Sequence, residues 1–211
     1  MPKNSHGGRR LLNPDLQSIW NEAISRGLSP RGVLLVVDAD RQRLFLLRNG
    51  AVEMEFTIST SADGLGNVRD SHKTPTGFHE VAERFGDGEP AGRVFKARKA
   101  LEKIVPQAEW SDPAGPELIT TRIMRLAGLE PGVNAGGVVD TFNRYVYLHG
   151  TNREHELGKP ASRGCIRLGN GDMIDLYDRT ANLMTWCWIG PAASGTSSSS
   201  ASAVGDAAAQ R

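Results

Sequence analysis

Asn49-Gly50 falls between two short apolar runs, and this arrangement constrains the fold of the 211-residue chain more than any other feature. An Asn-Gly pair supplies two residues that tolerate positive φ, as a two-residue hairpin turn requires. Upstream lies Arg43-Leu44-Phe45-Leu46-Leu47-Arg48, and residues 51–59 continue as the expected partner strand. Gly32-Val33-Leu34-Leu35-Val36-Val37-Asp38 precedes both and is rich in β-branched and apolar side chains. Three such segments in succession predict an antiparallel meander. Thr74-Pro75-Thr76-Gly77 punctuates the next connection, and further strands are expected at 78–82, 118–126, 145–148 and 186–189.

Helical patterning is confined to two places. Asn13-Pro14-Asp15 offers a capping side chain, a proline in the first turn and an early acid. Leu16, Ile19, Trp20, Ala23 and Ile24 then recur on one helical face, with Gly27 as the stop. Asn170 is expected to cap a second helix over 171–180. Residues 83–117, rich in Gly, Pro and charge, read as a long loop region with a short helix at 97–105. Such a loop would form either a lid or substrate wall, or a solvated insertion.

Composition narrows the function classes. Apolar residues are 39% and charged residues 23%, the balance of a folded domain. Twenty-five basic against 24 acidic residues leave a net charge of +1, which gives no electrostatic case for nucleic acid. Two cysteines, Cys165 and Cys187, do not make a disulfide framework, and Cys187 reads as a core residue of the last strand. The chain starts polar, with no apolar signal-peptide core and no membrane-length apolar run, so the residues by themselves suggest a cytoplasmic protein.

The chemistry-bearing feature is Cys165 in Ser162-Arg163-Gly164-Cys165-Ile166-Arg167, with His149 sixteen positions earlier. A thiol attacks carbonyls as thiolate, and an imidazole nearby is a common source of one. Gly164 leaves the backbone free to bend and to aim amide N–H groups at a developing oxyanion. Base, turn and nucleophile together suggest acyl transfer through a thioester. Against this stand the ordinary roles of such residues: a packed cysteine and a hydrogen-bonded rim histidine.

The chain resembles the L,D-transpeptidase catalytic domain, the YkuD domain, over residues 32–190. The likeness rests on His149-Gly150-Thr151 followed by Pro160-Ala161-Ser162-Arg163-Gly164-Cys165-Ile166-Arg167-Leu168, and on the Thr74-Pro75-Thr76-Gly77 turn. Arg163 stands where many members carry histidine. The resemblance implies a mainly β (α+β) fold, a mixed β-sandwich or barrel with short flanking helices and an N-terminal helix. On that reading residues 1–12 are a flexible N-terminus, 13–31 the N-terminal helix, 32–191 the catalytic domain and 192–211 a disordered Ala/Ser/Gly-rich tail.

What it implies for activity is a peptidoglycan L,D-transpeptidase. Cys165 would attack the carbonyl of the third residue of a tetrapeptide stem, a diamino acid, releasing D-alanine. An amine would then give a 3→3 crosslink or a link to a protein, and water a tripeptide. His149 would move the proton, and the Gly164 and Cys165 amides would form the oxyanion hole. Ser162 would bond either the turn or the substrate. Arg167 would clamp a substrate carboxylate, or form a surface salt bridge, and Arg163 would join the substrate-binding group. Two other readings stay open: an L,D-carboxypeptidase of murein recycling, and a catalytically silent wall-binding module. A papain-like protease fits poorly, because that family's local sequence is missing.

No cofactor is expected. His155 with the cysteines lacks the close ligand pairs of zinc sites, so no metal site is assigned, and His155 is placed on a loop at the site entrance. His72 and His79 read as surface or strand residues and Tyr147 as core or wall. The implied partners are peptidoglycan stem peptides or muropeptides, with no nucleic acid, no membrane span and a monomeric state. The family implies the periplasm or cell envelope.

Overall fold

A computed structural model describes residues 13–191, so the expectations for 1–12 and 192–211 lie outside the described residues. Ten strands form one sheet: β1 (Val33–Asp38), β2 (Arg43–Arg48), β3 (Ala51–Ser59), β4 (Gly77–Phe85), β5 (Arg93–Lys96), β6 (Lys99–Ile104), β7 (Ile119–Gly128), β8 (Tyr147–Thr151), β9 (Ile166–Leu168) and β10 (Thr185–Gly190). Their order is β4-β10-β1-β2-β3-β9-β8-β7-β5-β6, and an added β4–β7 pairing closes the first eight into a ring. β1 with β10 and β8 with β9 run parallel; the other pairs are antiparallel. The fold is mainly β with two helices, α1 (Pro14–Ser25) and α2 (Asn170–Arg179).

The ring follows from burial on both faces of its central strand. Every residue of β1 is buried. Val33, Leu35 and Val37 point into a core shared with Leu44, Ile58, Leu126, Leu148 and Ile189. Leu34 and Val36 point the other way and pack with Leu16, Ile19, Trp20 and Ala23 of α1. That explains why β1 reads as a continuous apolar run rather than an alternating one. The β2–β3 hairpin turns at Asn49 (φ 52°) and Gly50 (φ 68°), the paired positive angles that Asn-Gly supplies.

α1 starts where its cap predicts, with the Leu16 N–H donating to the Asn13 side chain at 2.8 Å. Arg26 ties its far end to Glu130, 3.0 Å away, and lies over the Phe78 ring. Trp20, 7% exposed, lies at the centre of this outer cluster and touches the hairpin turn near Gly50. Trp20→Ala is expected to destabilise the protein by about 3 kcal/mol, read as a shifted urea midpoint.

Two expectations give way. Residues 97–105 form no helix: β5 and β6 make an antiparallel hairpin turning at Ala97 (φ 48°) and Arg98 (φ 68°). Neither residue signals a positive-φ turn, and β6 is exposed throughout, so no apolar alternation marks it. Residues 83–117 are therefore largely ordered: they hold the end of β4, this hairpin and a short 3₁₀ turn (Gln107–Glu109). Asn170 is the first residue of α2 rather than its cap. The cap position is Gly169, and the Glu154 carboxylate accepts the Asn170 N–H at 2.7 Å from outside the helix. An acid there also suits the positive end of the helix.

Candidate active site

β8 and β9 are adjacent parallel strands whose register sets Leu148 beside Ile166 and His149 beside Arg167. Side chains alternate along a strand, so Tyr147 and His149 share one face with Arg167, and with Cys165 just before β9. Tyr147 and Cys165 do meet, in a small cluster with Phe95 and Ile123. The sheet itself therefore brings together the two residues that the sequence separates by sixteen positions.

His149 and Cys165 line one cavity of about 410 Å³, together with Glu117, Leu118, Ile119, Ser162 and Arg163. A second cavity, of about 370 Å³, also borders Cys165. Cys165 and Arg163 border both. Both cysteines are free thiols, and Cys187 is buried in β10 as expected.

His149 Nδ1 lies 2.8 Å from the Gly150 carbonyl. A carbonyl oxygen can only accept, so Nδ1 carries the proton and Nε2 keeps its lone pair. Burial lowers His149 to about 4; the Gly150 bond works against this, and the neighbouring Arg167 charge adds to it. The ring is held neutral. Burial likewise pushes the Cys165 thiol up to about 11, opposed first by the Tyr147 backbone and then by Arg167 and Arg144, while Glu117 adds to the rise. The Cys165 sulfur donates a long bond to the Tyr145 carbonyl at 3.9 Å. Burial therefore favours a neutral thiol and a neutral imidazole over a preformed thiolate–imidazolium pair.

Arg167 is where the sequence reading needs most revision. Its side chain is completely buried and bridges Glu156 at 2.8 Å and Glu117 at 3.1 Å, with a further donation to Ser59 Oγ at 3.2 Å. Neither a clamp free to grip a substrate carboxylate nor a surface salt bridge describes it. Its charge acts on Cys165 and His149 from within the wall. Glu156 is in turn held by Arg153, and Arg167 and Arg153 depress its carboxyl against the opposing effect of burial.

Ser162 is buried, and its hydroxyl donates to the Cys165 carbonyl at 2.6 Å while accepting the Gly164 N–H at 3.3 Å. It closes the turn, the first of the two roles open to it. Gly164 adopts φ 118°, and a Cβ there would meet the His72 and Lys73 carbonyls at 3.4 Å. The positive φ would strain a side chain at this position, while the space itself would admit a Cβ. Arg163 is exposed and makes no hydrogen bond or ion pair among the described residues.

His79 sits in β4, as one of its two readings had it, but is fully buried. It bonds the Gly77 carbonyl and Thr141, and burial lowers it to about 4. His155 lies 3.9 Å from Glu156, next to the carboxylate that holds Arg167. His72 lines the second cavity beside Cys165. Glu117, Arg69 and Arg144 also reach the site. No local pattern marked these residues, because long connections bring them in. Among the described residues no group of His, Cys, Asp or Glu is arranged to hold a metal, and no helix is long and apolar enough to cross a membrane.

His149 and His79 make stability depend on pH. Both have folded values below the unfolded 6.5, so unfolding takes up protons between about pH 6.5 and 4. The stability present above about 6.5 is expected to fall through that window. Urea titrations across it check this, and a flat profile would mean that the imidazoles are not held neutral.

Comparison with known proteins matches residues 32–197 to the L,D-transpeptidase catalytic domain, YkuD. Over 100 residues the chain is 30% identical to YqjB of Bacillus subtilis (strain 168), a protein assigned to the L,D-transpeptidases by its name. That stretch covers 43% of this chain and 55% of the relative, so the match spans about half of the relative's length. Among solved structures, an L,D-transpeptidase from Mycobacterium smegmatis has 18% identity and a TM-score of 0.44, covering 75% of this chain and 58% of its own. Pgp2 of Campylobacter jejuni, a helical cell shape determining protein, has 16% identity and a TM-score of 0.43, covering 85% and 57%. Scores this low leave any assignment to the sequence match.

Proposed function

This chain belongs to the L,D-transpeptidase catalytic domain family, and on that premise we propose that it is a cysteine acyltransferase acting on peptidoglycan stem peptides in the cell wall. The observation that carries the reading is the shared cavity: Cys165 and a neutral, Nδ1-protonated His149 line the same pocket.

The thiol proton passes to His149 Nε2 as Cys165 Sγ forms its bond to the carbonyl carbon of the third stem residue. The resulting oxyanion takes hydrogen bonds from backbone amides at the 164–165 turn. Gly164 N–H holds Ser162 Oγ only weakly, at 3.3 Å, and a charged oxygen is the better acceptor. Each such donor is worth roughly 3 kcal/mol in the transition state. Collapse breaks the C–N bond, His149 returns the proton to the departing D-alanine nitrogen, and a thioester remains. An incoming amine then attacks the thioester carbon and gives its proton to His149. The C–S bond breaks and the sulfur recovers that proton. Attack by water in place of the amine releases a tripeptide.

Arg167 works from behind this pair. Facing His149 across the two strands, it favours the neutral imidazole that can accept a proton, and it lowers the barrier to thiolate formation. It is a positioning residue on this reading, while Arg163 faces the substrate.

The test is incubation with a disaccharide tetrapeptide, with and without an acceptor amine, followed by mass spectrometry. D-Alanine release with a crosslinked dimer is expected. Tripeptide alone would reassign the protein as a carboxypeptidase, and no D-alanine release would leave only a binding role.

A further inference from the structure

The two cavities beside Cys165 differ in charge. The one containing His149 has Glu117 as its acid, already paired with Arg167, and otherwise presents Leu118, Ile119, Ser162, the uncharged ring and Arg163, the cation it shares with the other cavity. The other is lined by Arg69, Arg144 and Arg163 against a single acid, Asp70, with His72 at its exposed edge. Arg144 is pinned in place by the Gly66 and Lys73 carbonyls, at 3.2 and 2.6 Å. Arg69 is steadied by the Gly137 carbonyl, 3.3 Å away. Arg163 reaches in unpaired. Three guanidinium groups around one opening, two of them fixed, form a receptor for a carboxylate.

The position of the base decides which part of the substrate lies there. Both the departing and the arriving amine exchange a proton with His149, which lines the less cationic cavity and not the more cationic one among their described residues. Amine traffic therefore uses the His149 cavity, which leaves the other for the acyl residue's side chain. The geometry points to the Arg69–Arg144–Arg163 cavity as the seat of the acyl residue's side chain, selecting a side chain that ends in a free carboxylate. This deepens the proposed function and rests on it for the direction of the substrate.

The experiment compares two tetrapeptides that differ only at the third residue, whose side-chain carboxylate is free in one and carboxamide in the other. Affinities are measured by calorimetry on the full chain carrying Cys165→Ala, so binding is read without turnover. The free acid is expected to bind at least tenfold more tightly. Adding Arg163→Gln with Arg69→Gln is expected to bring the ratio within about twofold, the free acid losing far more affinity than the carboxamide. Equal binding of both peptides to the parent variant overturns the proposal, as does a preference that survives loss of both arginines. D-Alanine release by the wild-type protein is measured separately. Release without discrimination sinks this inference and spares the proposed function. Discrimination without release sinks the acyl-transfer reading instead.

Discussion

Cys165→Ala is expected to remove turnover, with D-alanine release falling by a factor on the order of 10⁵ or more, while the fold survives. The size of the effect follows from the chemistry: without sulfur no thioester forms, and residual catalysis would come only from substrate binding and the amide donors. The fold survives because Cys165 is only half-buried and opens on two cavities. Truncating it removes one sulfur from the edge of the Phe95–Ile123–Tyr147 cluster, a cost of about 1 kcal/mol. Intact-mass spectrometry supplies the second measurement: the wild-type protein gains the mass of an acyl group and the variant does not. Turnover retained by the alanine variant would rule out the covalent route.

Arg167→Ala is expected to have the largest effect on stability, about 3 kcal/mol, with activity lost alongside it. The guanidinium is inaccessible to solvent and joins two carboxylates from separate loops. Removing one partner of a buried ion pair strands the others, and here Glu117 would lose its cation while Glu156 kept only Arg153. Both retain some exposure, 36% and 17% at the side chain, which keeps the expected loss toward the lower end for buried pairs. Glu117 already raises the Cys165 thiol, and losing Arg167 leaves that unopposed from this side. The thiol is therefore expected to alkylate more slowly with iodoacetamide at neutral pH in the folded variant. Arg167→Lys should recover part of the stability but not the double bridge, because an ammonium lacks the planar fork that spans two carboxylates and Ser59. An unchanged urea midpoint for Arg167→Ala would show the bridge to be ornamental.

Local rules read part of this molecule well. Asn49-Gly50, the β1 run and the Asn13 cap each act within a few residues, and each element forms where its pattern lies. The glycine turn before Cys165 also left its mark in sequence, but the strand expected to end ahead of His149 instead carries it at its centre, since β8 runs on to Thr151. The failures have a common cause. Ala97-Arg98 turns a hairpin without turn residues, and its two strands are tied by Arg93, which donates to the Glu89 carboxylate and the Leu101 and Glu102 carbonyls. Arg167 reads as a substrate clamp until Glu117, fifty positions away, is seen to occupy it. His72 and Arg144 reach the nucleophile through connections whose shape no periodicity encodes. What sequence could not supply was partner choice across long separations.

The parallel β8–β9 step has a further consequence. Imidazole and sulfur are spaced by the hydrogen-bonded ladder of a closed ring, not by a hinge, and Leu148 and Ile166 on that step are wholly shielded from solvent. Amide hydrogens there can exchange with deuterium only when the entire body opens. Heat should therefore switch activity off in a single step that coincides with melting, leaving no temperature range in which an intact scaffold carries a disassembled reaction centre.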